Sequence, residues 1–230
     1  MTSFVSGDSV FVVGGDGVGP GGTPVNGDPI AGSPFVVSGS VNINTAPLDG
    51  VGVNLKILNV GPNGNNDVVY TGDETDIIRT GAGNDVVNSG GGDDFVVGGG
   101  ANDIIRGGTG NDVIRGGKGA DVLIGGHGAD VFRIIGDPVD GAYGADSDLQ
   151  FDSAGNVIVD AIIDFNDTED LLVLQDLNVN GIGTVSYHED TGNVTLTDSV
   201  DPDVSRVIAK LPAGLDIVEI DQGDGNWTLM

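Results

Sequence analysis

The chain has no cysteine, which excludes a disulfide framework and any zinc or iron–sulfur site of the thiolate kind. It also has little positive charge: 8 basic residues face 35 acidic ones, for a formal net charge of -27. That balance argues against nucleic acid or an anionic membrane as partner and points to cations instead. Only four glutamates occur (Glu74, Glu169, Glu189 and Glu219), and with 42 glycines the sequence is a poor helix former but a good builder of turns and short strands. No apolar window is long enough to cross a bilayer, so membrane insertion is not expected. The first residues, MTSFVSGDSVFVV, have no basic region, no sustained apolar stretch and no small-residue cleavage site, and do not read as a Sec signal peptide. Catalytic signatures are missing as well. HExxH, GxSxG, a GxxxxGK[ST] phosphate loop and a DxDxDG calcium loop are all absent, so no catalytic residue and no enzyme is expected.

What the sequence does have is a period. Residues 62 to 133 divide into eight consecutive nine-residue blocks: PNGNNDVVY, TGDETDIIR, TGAGNDVVN, SGGGDDFVV, GGGANDIIR, GGTGNDVIR, GGKGADVLI and GGHGADVFR. Each block puts an aspartate at its sixth position: Asp67, Asp76, Asp85, Asp94, Asp103, Asp112, Asp121 and Asp130. With acidic residues at roughly one position in seven, eight such hits in a row arise by chance about once in 10⁷ frames. The glycine-rich half of each block can only turn, and the apolar triplet after the aspartate can only be a short strand. Two blocks then make one coil of an all-β parallel roll with a strand on each of two sheets. The aspartates sort into two columns, one of Asp67, Asp85, Asp103 and Asp121 and one of Asp76, Asp94, Asp112 and Asp130.

Carboxylates stacked at the sheet spacing of about 4.8 Å repel unless something lies between them, and that spacing is about twice a Ca–O distance. Calcium between successive turns answers the repulsion. Its other ligands would be backbone carbonyls of the glycine positions, Gly81, Gly83, Gly90, Gly92, Gly99, Gly108, Gly110, Gly117, Gly119, Gly126 and Gly128, where positive φ allows the tight turn. Magnesium, which keeps its waters, fits less well. Four turns on each edge enclose roughly six sites, and six ions would cancel nearly half of the charge of -27.

The middle strand residues, Val69, Val87, Ile105 and Leu123 on one sheet and Ile78, Val96, Ile114 and Phe132 on the other, are expected to form a thin core. The residues before them (Val68, Ile77, Val86, Phe95, Ile104, Val113, Val122, Val131) are apolar too and should point outward. Either they simply suit a β ladder, or these faces are covered by flanking segments or another subunit. Arg79, Arg106, Arg115 and Arg133 end their triplets and are expected to balance nearby carboxylates. His127 stands at a variable turn position and is expected to face solvent, while His188 has no nucleophile beside it.

Gly107 to Arg133 fits GGxGxDxUx, and in this the chain resembles the RTX (haemolysin-type) calcium-binding proteins. The last three blocks match fully. Glu74 and Ala101 replace a fourth-position glycine, and Pro62 and Asn63 replace the leading pair, so these turns are expected to bind calcium differently. The resemblance implies a secreted protein whose C-terminal region carries an uncleaved signal read by a type I secretion apparatus. It also implies that AIIDFNDTEDLLVL (161 to 174) is the strand-turn-strand that caps such rolls.

The chain divides into an N-terminal strand and linker region (1 to 61), the roll (62 to 133) and a C-terminal β cap (134 to 230). After an acidic loop (136 to 148), turn signals at Asp152 to Asn156 and Asp190 to Asn193 read as hairpins. Asp164, Asp167 and Asp170, with Asn166, are a possible additional metal cluster, or a merely solvated acidic turn. Trp227 reads as a packing anchor. In residues 1 to 61, apolar runs at Val10 to Val13, Phe35 to Asn44 and Val51 to Val60 flank a Gly/Pro-rich stretch (14 to 24). They either cap the front of the roll or supply an arm to a neighbouring subunit. Two functional readings follow: a calcium-folded structural subunit of a surface layer, matrix or filament, or a non-catalytic adhesion or carbohydrate-binding module whose effector lies elsewhere.

Overall fold

Each column aspartate is followed by a β-branched or aromatic residue and then an apolar one, with glycines on either side, so extended backbone is favoured between tight turns. In the computed structural model every such triplet is a strand. The structure describes residues 2–6, 9–13, 42–44, 56–57, 64, 66–136, 147–177, 184–197, 205–223 and 225–230. The Gly/Pro-rich stretch 14–24, the runs 35–41, 51–55 and 58–60, Pro62, Asn63 and most of the acidic loop (137–146) lie outside these residues.

Strands β1 (Thr2–Ser6) and β2 (Ser9–Val13) form an antiparallel pair with each other. Then come β3 (Asn42–Asn44) and β4 (Lys56–Ile57). The eight repeat strands are β5 (Val68–Tyr70), β6 (Ile77–Ala82), β7 (Val86–Gly91), β8 (Phe95–Gly100), β9 (Ile104–Thr109), β10 (Val113–Lys118), β11 (Val122–His127) and β12 (Val131–Ile135). Behind them lie β13 (Gln150–Phe151), β14 (Val157–Ile158), β15 (Asp160–Ile162), β16 (Leu171–Gln175), β17 (Thr184–His188), β18 (Asn193–Thr197), β19 (Ser205–Lys210), β20 (Glu219–Gly223) and β21 (Asn226–Leu229). No helix occurs among the described residues, hence none long and apolar enough to cross a membrane.

The repeat strands alternate between two parallel sheets, with partners eighteen residues apart. Val69, Val87, Ile105 and Leu123 stand side by side in one sheet, and Ile78, Val96, Ile114 and Phe132 in the other. The fold is an all-β parallel solenoid of the β-roll kind. All eight of these side chains are at most 1% exposed, because period-two alternation sends the middle residue of each triplet inward.

The sheets continue past the repeats at both ends. β3 and β4 pair in parallel with β5 and β6 in front, and β15 and β16 pair in parallel with β11 and β12 behind. The strand-turn-strand of residues 161 to 174 therefore adds one more coil, its two strands lying in opposite sheets. Beyond it, β19, β18 and β17 extend one sheet, and β21 and β20 the other. Both hairpins expected from turn residues are present, β13 with β14 and β17 with β18. Leu229 is fully buried and Trp227 packs against the core, as its size and apolar body suggest.

The outward residues are mostly half-buried, with Ile77 and Ile104 the most exposed at 37% and 48%. The arginines depart from expectation. Among the described residues only Arg115 forms an ion pair, a forked one with the buried Asp148, whose carboxylate also accepts the Ile135 N–H at 2.8 Å. Arg79 instead stacks over the Phe95 ring at 5.2 Å, and Arg133 donates to the Gln175 amide oxygen. The column carboxylates are buried inside the turns, out of reach of side chains on the outer sheet faces.

Candidate metal centre

The turns bring the column aspartates to the two edges of the roll, and all eight are at most 2% exposed. On one edge Asp85 Oδ1 accepts the Asp67 N–H, Asp103 Oδ1 the Asp85 N–H and Asp121 Oδ1 the Asp103 N–H, each at 2.8 Å. On the other, Asp94, Asp112 and Asp130 accept in the same way from Asp76, Asp94 and Asp112 at 2.7, 2.9 and 2.9 Å. One oxygen of each of these six accepting carboxylates thus holds the coil before it.

The pattern runs one step further than the repeats. Asp160 Oδ1 accepts the Asp121 N–H at 3.0 Å, and Asp170 Oδ1 accepts the Asp130 N–H at 2.9 Å. Both are buried, so each column contains five aspartates. Asp160 does not appear among the expected ligands, and Asp170 appears only as part of a separate cluster. The readable signal was the aspartate-apolar-apolar triplet at 160–162 and 170–172, hidden because Asp160 follows Asp130 by thirty positions where the repeat spaces by nine.

The second oxygen, Oδ2, of Asp85, Asp94, Asp103, Asp112, Asp121 and Asp130 is buried and accepts no hydrogen bond. A buried carboxylate oxygen without a partner is costly, so a row of them marks a place where a cation belongs. The surrounding space fits one. A Cβ on Gly98 would run into Asp103 Oδ2 and lie 2.7 Å from the Gly116 carbonyl oxygen; one on Gly107 would run into Asp112 Oδ2 and lie 2.8 Å from the Gly125 carbonyl oxygen. These are hard oxygen donors around a gap that only glycine leaves clear, the donor set calcium prefers.

The second- and fourth-position glycines named from sequence, Gly81 to Gly128, all have φ between 93° and 135°. Lacking Cβ, they also allow close stacking: a Cβ on Gly117 would collide with the carbonyl of Gly99, one coil earlier. The two substituted turns behave differently. Ala101 keeps the left-handed turn at φ 75°, whereas Glu74 is not among the residues with positive φ.

Without a bound ion the columns are electrostatically strained. Burial pushes Asp94 and Asp103 up to about 8, against the N–H groups of Asp76 and Asp85 that pull them down, with neighbouring column carboxylates adding to the rise. Burial likewise raises Asp112, Asp121 and Asp130 to about 6. Asp160 and Asp170 are also raised, by burial first; Asp121 adds to the rise at Asp160 and Asp164 to that at Asp170.

The family model of the RTX calcium-binding nonapeptide repeat (4 copies) matches residues 63–96 and again 97–132. Residues 63–132 are RTX calcium-binding repeats. Among curated proteins nothing matches the chain.

The RTX array accounts for the fact that no three His, Asp or Glu side chains among the described residues converge as a metal cluster. In such a gap two stacked carboxylates would supply charge and main-chain carbonyls the remaining donors, so three acidic side chains need not meet. Asp164, Asp167 and Asp170, the possible additional cluster, do not meet as a group of three. Asp164 accepts the N–H groups of Gly125 and Gly126, ending the ladder of the last repeat strand on that edge. Asp167 accepts the Asp216 N–H, and Asp170 accepts from Asp130 and Asn166. His127 and His188 are both exposed, and His188 Nε2 meets the Thr195 hydroxyl at 2.9 Å.

Ala101 offers a direct test of turn strain. An alanine held in the left-handed region costs about 1 to 2 kcal/mol, so Ala101→Gly is expected to stabilise the calcium-bound roll by about 1 kcal/mol. A thermal midpoint in saturating calcium that fails to rise would show that the turn is not strained.

Proposed function

We propose that this calcium-binding RTX protein is a secreted structural subunit of a cell surface, matrix or filament, folded by the calcium it meets outside the cell. The observation that carries the reading is the pair of aspartate columns with unpartnered buried oxygens, which the fold cannot satisfy from within. The column aspartates, with carbonyls of the turn residues Gly81 to Gly128, would hold the ions. Roughly six gaps lie between repeats, and Asp160 and Asp170 close one more at the end of each column. Calcium supplies the positive charge that lets the coils stack.

The charge of -27 supports export before folding, since in calcium-poor surroundings the columns repel and the chain stays open. The region from about residue 200 onward serves as the signal for a type I secretion apparatus. In the folded chain it is tied into both sheets through β19 and β21, so it would be read before the roll closes. Calcium-dependent association of copies completes the role, and the apolar rows on the outer sheet faces, with Ile77 and Ile104 exposed, favour it.

Light scattering and electron microscopy of the full chain at millimolar calcium, with and without chelator, test the assembly. Large particles that form with calcium and disperse on chelation are expected. A chain that stays monomeric at millimolar calcium would sink the structural-subunit reading.

A further inference from the structure

The first residue of each repeat divides the array into two kinds of loop. In the loops of Asp76, Asp85 and Asp94 it is Thr71, Thr80 and Ser89, all buried. Thr71 Oγ1 donates to the carbonyl of Ser89 at 2.7 Å, Thr80 Oγ1 to that of Gly98 at 2.9 Å, and Ser89 Oγ to that of Gly107 at 3.0 Å. Each acceptor is the first residue of the next coil on the same edge, so each hydroxyl staples one loop to its successor. In the later loops the first residue is glycine. Over Gly98 and Gly107 the space of the missing side chain is taken by Asp103 Oδ2 and Asp112 Oδ2, facing the carbonyls of the following coil. Those carbonyls receive no hydroxyl from the coil before, because glycine has none.

We propose that calcium binds this array in two classes: tightly in the gaps gated by Gly98 and Gly107, and weakly in the three gaps that Thr71, Thr80 and Ser89 staple. This rests on the reading that the loops hold calcium. A hydroxyl donating to the first-position carbonyl draws its lone pair away from an ion, and the side chain fills volume that glycine leaves clear. The stapled coils have a bond between loops without the ion. The glycine-gated coils depend on the ion to satisfy the same oxygens.

Equilibrium dialysis of calcium against the full chain, with amide exchange followed strand by strand, tests the division. Two binding phases are expected. Ser89→Gly should move one ion from the weak phase to the tight one, tightening it by roughly fivefold or more, and Gly107→Ser should move one the other way. Gly107 does not have positive φ, and Ser89 already occupies the equivalent place, so a serine there strains no backbone dihedral, but it does require the Asp112 carboxylate and the Gly125 carbonyl to give way. Thr80→Val retains the bulk but removes the staple; it should speed exchange in β6 and β8 at low calcium without changing the tight count. A single phase insensitive to Ser89→Gly and Gly107→Ser overturns the proposal. Weaker binding in Ser89→Gly also overturns it, since the hydroxyl would then be a ligand. A wild-type chain that binds no calcium would instead overturn the reading of the loops as calcium sites.

Discussion

Stripped of calcium at pH 7.5, the chain is expected to lose most of its strand signal in far-ultraviolet circular dichroism and to regain it when calcium returns. The reason lies in the columns, where Asp85, Asp94, Asp103, Asp112, Asp121 and Asp130 are buried with Oδ2 accepting no hydrogen bond. Acid should substitute in part for the ion. In the metal-free roll Asp94 and Asp103 are raised to about 8, and Asp112, Asp121 and Asp130 to about 6, from 3.8. A carboxyl whose folded value lies above its unfolded one binds its proton more tightly when folded. Protonation therefore favours the metal-free roll. That stabilisation is present towards pH 4 and is lost as pH rises through about 6 to about 8.

Calcium, which needs the ionised form, should gain affinity over the same range. Circular dichroism of metal-free protein between pH 4 and pH 8, beside calcium titrations at each pH, checks both trends. A metal-free chain more structured at pH 8 than at pH 5 would contradict the account.

Gly117→Val should damage the roll more than any change on its surface. Gly117 has a φ of 111°, and a Cβ there meets the carbonyl of Gly99 on the preceding coil. Left-handed strain and forced separation of two coils together cost about 3 to 5 kcal/mol, comparable to much of a domain's net stability. The expected result is loss of the cooperative calcium-induced transition in circular dichroism, whatever the calcium concentration. Gly100→Val is the control: a Cβ there has nothing within 4 Å, and Gly100 does not have positive φ. Equal damage in both variants would mean that the interlocked glycine turns are not what holds the coils together.

Much of this was legible in the order of residues. The nine-residue period placed Asp67 to Asp130 on two edges and Val69 to Phe132 in the core, because a fixed period with a turn in every block leaves few ways to coil. The fold class and the calcium chemistry followed from the same pattern. Other features were hidden. Asp160 and Asp170 continue the columns after an insertion that breaks the spacing. Arg79 and Arg133 looked like partners for carboxylates until the sheets placed them on the outer face, beside Phe95 and Gln175.

By itself, then, the sequence determined the repeating unit: the turn glycines, the aspartate columns, the inward residues and the calcium-binding character of the repeat. These are local properties, copied every nine residues, and they survive without knowledge of what lies beside them. Only the tertiary structure decided how far the columns extend, that Ala101 keeps its turn while Glu74 does not, and which first-position residues bridge successive coils. The physical reason is that those relations depend on contacts between residues eighteen to forty positions apart, and only the stacking of coils brings the partners together.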